Sequence, residues 1–186
     1  TLYAMSITIA NIALPQLQGA LAATQDQIAW TVTFNIVGTA IVTPMTGWLT
    51  KRFGQRQLML TAVFGFAISS VMCGQATTLT ELVVYRVFQG AFGGPLVPLS
   101  QAIILGVFPR TLHSFATAIW GMGVVCGPII GPTVGGYISE AYSWRWVFYI
   151  IAPFSLLAFW GAWLYIRDTS RDKCARLDWT GFISLS

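Results

Sequence analysis

The stretch GMGVVCGPIIGPTVGG, from Gly121 to Gly136, lies inside an apolar run that extends from about Ser114 to Ile138. Gly123, Gly127, Gly131 and Gly135 recur at every fourth residue, a spacing that stacks them along one slowly drifting helix face. A face without side chains lets a neighbouring backbone approach closely. Pro128 and Pro132 each follow one of these glycines. Each proline removes a backbone donor and crowds the carbonyl four residues earlier. A helix tolerates this in a bilayer, where its neighbours re-satisfy the freed groups. The pattern predicts a bent, close-packed, membrane-buried helix. The spacing is equally consistent with plain packing and with a functional contact.

The rest of the composition agrees. Hydrophobic residues make up 55% of the 186-residue chain and charged residues 9%, and the mean hydropathy is +0.68. A soluble domain carries about 25% charged residues. The net charge is +4, but the cations are dispersed in short segments between apolar runs, so no nucleic-acid partner is expected. Cys73, Cys126 and Cys174 lack metal-ligand or redox spacing, and no metal site is expected.

Six runs are long enough to span a bilayer at about 20 residues each. They cover roughly Leu2 to Ala22, Ile28 to Leu49, Leu58 to Ala76, Leu82 to Val107, Ser114 to Ile138 and Trp146 to Ile166. A seventh begins near Trp179, and with a start at Thr1 the chain is expected to be a piece of a longer membrane protein. Lys51, Arg52, Arg56, Arg110, Arg167, Arg171, Lys173 and Arg176 fall between runs on one side, against Arg145 alone on the other. This asymmetry predicts that the N-terminus and loops 2–3, 4–5 and 6–7 are cytoplasmic. Trp48, Tyr142, Trp144 and Trp146 fall near run ends, where amphipathic rings favour the interface.

Few residues suggest chemistry. Arg86 is the one charge well inside a span. It faces a polar cavity, or a partner inside the bundle, or it snorkels to the outer interface. Gln89 and Gly90 share its helix face, while Glu81 lies nearer the outer surface, with a direct pair to Arg86 left open. Gly90 and Gly94 make a second close-contact spacing. Asn11, with Thr8 one turn before it, either bonds to a neighbouring helix or lines a cavity. His113 reads as an ordinary loop histidine. A membrane hydrolase needs a nucleophile and base in one cavity, and no such set stands out, so the chain is not read as an enzyme.

Five stretches together resemble the major facilitator superfamily, in particular its 14-helix drug:proton antiporter family of the EmrB/QacA type. They are ITIANIALP (Ile7 to Pro15), GWLTKRFGQRQ (Gly47 to Gln57), YRVFQGAFGGP (Tyr85 to Pro95), the glycine-rich stretch quoted above, and WRWVFYIIAP (Trp144 to Pro153). The glycine-rich stretch looks like that superfamily's fifth-helix antiporter motif. Two positions depart from the pattern. Ser6 stands where an acid usually lies two residues before the first-helix threonine, here Thr8. Lys51 stands where the loop 2–3 signature usually has an acid, although EmrB-like members share a basic residue there.

The resemblance implies an all-α membrane protein: a six-helix N-terminal transporter half over residues 1–166, a cytoplasmic loop over 167–178 and the start of a seventh helix over 179–186. It implies export of small amphipathic compounds, driven by a proton gradient without a bound cofactor, across the inner membrane. In Gram-negative relatives such a permease works with a periplasmic adaptor and an outer-membrane channel. Arg86, Gln89, Asn11 and Thr8 would lie on the substrate or proton pathway in a central cavity. Gly47, Lys51, Arg52, Gly54 and Arg56 would form a cytoplasmic gate loop. Gly123, Gly127, Pro128, Gly131, Pro132, Gly135 and Gly136 would set helix 5 against the missing C-terminal half. A facilitator or importer of the same fold, and a non-transporting fragment or structural partner of another subunit, remain alternatives.

Overall fold

A computed structural model describes residues 2–20 and 23–166. Among these residues the regular elements are all helical. They are α1 (Leu2–Ala20), α2 (Gln25–Val42), α3 (Thr46–Phe53), α4 (Gln55–Gln75), α5 (Leu79–Gly93), α6 (Leu96–Val107), α7 (His113–Ala141), α8 (Trp144–Tyr149) and α9 (Ile151–Tyr165). A single 3-10 turn, Arg110–Leu112, leads into α7. The expected loop at 167–178 and the helix start at 179–186 lie outside the described residues, as does Cys174.

The runs appear as helices, but three of them are broken where prolines or caps intervene. The second run splits at Thr43–Met45, and α3 turns away from α2 by 55°. Pro44 sits in that turn, without the N–H that would continue the ladder. The fourth run splits at Gly94–Pro95 for the same reason, and the sixth at Ile150. By length and composition Gln55–Gln75, Leu79–Val107, Arg110–Ala141 and Trp144–Tyr165 can cross a membrane, with α2 and α3 a fifth span if taken together. Helix α1 is 19 residues long but falls short in apolarity, because Asn11, Gln16 and Gln18 interrupt it.

The segment read as loop 2–3 is helical. Lys51 and Arg52 occupy the last turn of α3, where cations complement the helix dipole. Gly54 alone separates α3 from α4, at φ 87° and ψ 151°, a conformation that residues with a Cβ rarely adopt. Arg56 begins α4 and donates from Nη2 to the carbonyl oxygen of Trp163 at 3.1 Å, tying the start of α4 to the end of α9. The cationic segment is therefore a helical corner bonded to α9.

The core lies where α1, α4, α5 and α8 meet. Ile9, Ala13, Leu17, Cys73, Leu82, Val147 and Phe148 form one buried cluster, and Ala62, Val63, Phe66, Leu96 and Ile151 a second beside it. Trp144 belongs to the first cluster and is buried within the bundle, whereas Tyr142 and Trp146 are exposed and pack on each other at 6.2 Å. His113 is the first residue of α7, its Nε2 3.1 Å from the carbonyl oxygen of Phe108. It belongs to a helix start, not to a loop.

Candidate functional site

The most polar part of the interior is built on α5. Arg86 is 2% exposed and Gln89 is fully buried. They are three residues apart, so their side chains meet on one helix face. Arg86 Nη1 donates to Gln89 Oε1 at 2.8 Å, and Gln89 Nε2 donates to Ser70 Oγ at 2.7 Å. Ser70 in turn donates to the carbonyl oxygen of Phe66 at 2.8 Å. The guanidinium carbon stands 4.7 Å from the centre of the Phe148 ring, within cation–π range. Arg86 Nε is buried without a hydrogen-bond partner. This arrangement excludes snorkelling and puts Arg86 against partners inside the bundle.

No carboxylate of the described residues pairs with Arg86. Its ionisable neighbours are the Cys73 thiol and the Tyr3 phenol. Glu81 is spent elsewhere: its side chain accepts from the Thr77 N–H and hydroxyl and from the Thr78 N–H, closing a capping box at the start of α5. Asp26 lies in the first turn of α2, and Glu140 is exposed near the end of α7. Ser6 is buried at its position on α1, so no acid stands there.

A second set of polar residues, not singled out by the sequence reading, clamps α2 to α5. Asn35 Nδ2 donates to the carbonyl oxygen of Arg86 at 3.0 Å, and Thr39 Oγ1 lies 3.1 Å from the carbonyl oxygen of Gly90. The Tyr3 hydroxyl and Thr39 Oγ1 are 2.5 Å apart, joining α1 to the same set. The helices are close enough that a Cβ on Gly38 would stand 2.5 Å from the Val87 carbonyl oxygen. A Cβ on Gly94 would stand 3.1 Å from the Thr39 carbonyl oxygen. Asn35 lies in an apolar run just as Asn11 does, and that was the signal for it.

Of the four residues expected to share a cavity, Arg86 and Gln89 meet, while Asn11 and Thr8 do not join them. Asn11 is exposed. It lies about 200° around the helix from both Ile9 and Ala13, which turn into the core. Thr8 satisfies its hydroxyl on its own helix, 3.0 Å from the Met5 carbonyl oxygen, and lies under Gly131 of α7.

The glycine ladder faces a different partner from the one expected. Gly127, Gly131, Gly135 and Ser139 are buried along one face of α7. A Cβ on Gly131 would strike Thr8 Oγ1, one on Gly135 would stand 2.9 Å from Ile9 Cγ2, and one on Gly136 3.8 Å from Ile12 Cγ2. The ladder thus seats α1 of the same bundle. Pro128 and Pro132 turn the other way and are exposed, since one residue's offset rotates a side chain by about 100°. Gly123 lines a cavity of about 350 Å³ with Tyr3, Ser100 and Trp120, where Trp120 Nε1 donates to Ser100 Oγ at 3.0 Å.

Of the gate residues, Lys51 and Arg52 are exposed, Arg52 over the Trp48 ring at 5.8 Å. Gly47 is exposed, with nothing within 4 Å of a Cβ built on it. Among the described residues no group of three or more His, Cys, Asp or Glu could hold a metal ion.

Residues 1–180 match the family model described as Major Facilitator Superfamily. The chain is 40% identical over 163 residues to a fatty acid resistance protein, FarB, of Neisseria gonorrhoeae, covering 88% of this chain and 32% of that protein. It is 45% identical over 146 residues to the multidrug export protein EmrB of Escherichia coli K12, covering 78% and 28%. It therefore spans about a third of the length of these relatives. Among solved structures, the xylose transporter XylE of E. coli superposes with a TM-score of 0.81 at 17% identity, over 90% of this chain and 47% of that one. The human organic anion transporter MFSD10 does so with a TM-score of 0.68 at 19% identity, over 99% and 51%. At these identities the structures speak for the fold.

Proposed function

The chain belongs to the major facilitator superfamily, a family of multi-pass membrane transporters, and from that premise we propose that it is the N-terminal half of a proton-driven exporter of small amphipathic compounds. The relatives named for multidrug export and fatty acid resistance support export over import. The observation that carries the role of the bundle is the buried Arg86 guanidinium, which has no carboxylate of the described residues opposite it. A charge at that depth is costly unless it serves a purpose. Here Arg86 acts as a fixed cation, held by Gln89, Ser70 and Phe148, that raises the potential felt by substrate and proton. The carboxylate that binds the proton then belongs to the part of the transporter outside these residues, because Asp26, Glu81 and Glu140 all sit at helix ends.

The remaining half seats on the exposed apolar faces. One carries Trp30, Phe34, Val37 and Ile41 on α2; the other carries Ile129 and Ile130 beside Pro128 and Pro132 on α7. The charge asymmetry supports a cytoplasmic N-terminus. In a Gram-negative cell the exporter would hand its cargo to a periplasmic adaptor and an outer-membrane channel.

The test is the intact protein reconstituted in liposomes with an imposed proton gradient. Export of a cationic dye coupled to proton influx supports the reading, and dye flux without proton movement selects the facilitator. Arg86→Ala should abolish coupled export. Arg86→Lys should restore part of it, since lysine keeps the charge and loses the planar fork.

A further inference from the structure

Resting on the exporter reading above and going beyond it, we infer that Tyr3 is a positioning residue for coupled transport. Its hydroxyl is the joint between two rigid helix pairs, and it sets where the pair that carries Arg86 stands against the pair that carries the glycine ladder. The first pair is α2 with α5. Gly38 and Gly90 let their backbones touch, so that a Cβ at either position would overlap a carbonyl oxygen of the other helix. Asn35 and Thr39, one turn apart on α2, reach the carbonyl oxygens of Arg86 and Gly90, one turn apart on α5. The second pair is α1 with α7, where Thr8 and Ile9 fill the space beside Gly131 and Gly135. Contacts packed this closely do not deform continuously, so each pair moves as one body.

The boundary between the pairs is built differently. Ala13 and Leu17 of α1 share an apolar cluster with Ile28 of α2 and Leu82 of α5, and apolar contacts carry no direction. Among the described residues, the one side-chain hydrogen bond that crosses from either member of one pair to either member of the other is that of Tyr3 with Thr39. Thr39 has a single hydroxyl hydrogen, with the carbonyl oxygens of Asn35 at 3.0 Å and Gly90 at 3.1 Å to receive it. Tyr3 is therefore the donor. Its ring rests on Gly93 of α5, where a Cβ would strike Cδ2, and stands T-shaped to the Phe66 ring of α4, with centres 6.3 Å apart. A ring lying on a glycine meets no side chain there to hold it, so the hydroxyl fixes its place. The ring also lines the cavity of about 350 Å³ with Ser100 and Trp120, which gives it room to swing once that bond opens.

The experiment uses the intact protein in liposomes, with its other reactive cysteines replaced. Spin labels on Met122→Cys of α7 and Val84→Cys of α5, both exposed positions, read the distance between the pairs by pulsed electron paramagnetic resonance. Labels on Ile36→Cys of α2 and Val84→Cys read the distance within one pair. Tyr3→Phe keeps the ring and loses the hydroxyl. It should shift or broaden the first distance and leave the second as in the wild type. Thr39→Ala, which removes the acceptor, should shift the first distance too, and Thr39→Ser, which keeps the hydroxyl, should not. Under a proton gradient Tyr3→Phe should lower kcat for export of a cationic dye about fivefold, the scale of one hydrogen bond, with KM unchanged. An unchanged first distance in Tyr3→Phe overturns the proposal. So does a change in both distances, which would make the hydroxyl a general support of the bundle, or a raised KM at unchanged kcat, which would make Tyr3 a contact of the cargo. The distances need no gradient, so a wild type that exports nothing removes the functional reading and leaves them to decide for or against the joint.

Discussion

The carbonyl oxygen of Asn35 occupies the space that a Cβ on Gly90 would need. Helices α2 and α5 therefore touch backbone to backbone, at the level where Asn35 also bonds the Arg86 carbonyl. Gly90→Ala cannot be absorbed by turning a side chain and must push the helices apart. We expect a loss of about 1–3 kcal/mol or more, read as a lowered thermal midpoint of the detergent-solubilised protein. Gly106→Ala, with nothing within 4 Å, is the control and should leave the midpoint in place.

The contact of Gly131 with Thr8 differs in kind, because the obstacle is a side-chain oxygen. Gly131→Ala should destabilise the protein alone and much less in a Thr8→Ala background. The coupling in that double-mutant cycle should be about 0.5–3 kcal/mol. Strict additivity of the two changes would mean that α7 and α1 do not meet there.

Two glycines of the cationic corner should respond oppositely. Gly54 is the only glycine of the described residues with positive φ, so Gly54→Ala should cost about 1–3 kcal/mol in backbone strain. Gly47→Ala adds a methyl group in open space and should leave stability unchanged. Any loss of transport by Gly47→Ala with an unchanged melt would then report a contact with the other half.

Orientation is checked by labelling whole cells with a membrane-impermeant thiol reagent. In a background with Cys126→Ser and Cys174→Ser, since Cys126 is exposed and Cys73 buried, single cysteines at Lys51 and Arg110 should resist it. Cysteines at Thr77 and Tyr142 should react. The reverse pattern would place the N-terminus outside.

Much of the helical plan was legible because a bilayer imposes long apolar runs. The breaks were missed where a polar or proline signal sat inside such a run: Pro44 splits α2 from α3, and Pro95 splits α5 from α6. Polarity also misread Lys51 and Arg52 as loop residues, since the last turn of a helix favours the same cations as a cytoplasmic loop. In the candidate site, the meeting of Arg86 with Gln89 followed from spacing on one helix, while the choice between a bundle partner and snorkelling needed the neighbouring helices. Ser70, Asn35 and Thr39 come from other helices, and no local period announces which helices will be neighbours. The glycine ladder likewise marked a contact face without saying that α1 would fill it.

The hydrogen bond from Arg56 to the Trp163 carbonyl oxygen spans 107 residues of sequence. A ribosome adding about 5–20 residues per second makes that acceptor roughly 5–20 seconds after the arginine. The corner at Gly54 can turn as soon as α3 and α4 exist, but it cannot be latched to α9 until the last span has been made and inserted. Closing this corner is thus a late step in assembly of the described helices. A chain stalled before Trp163 would hold the first five spans with the latch open, which is the form that membrane quality control would meet.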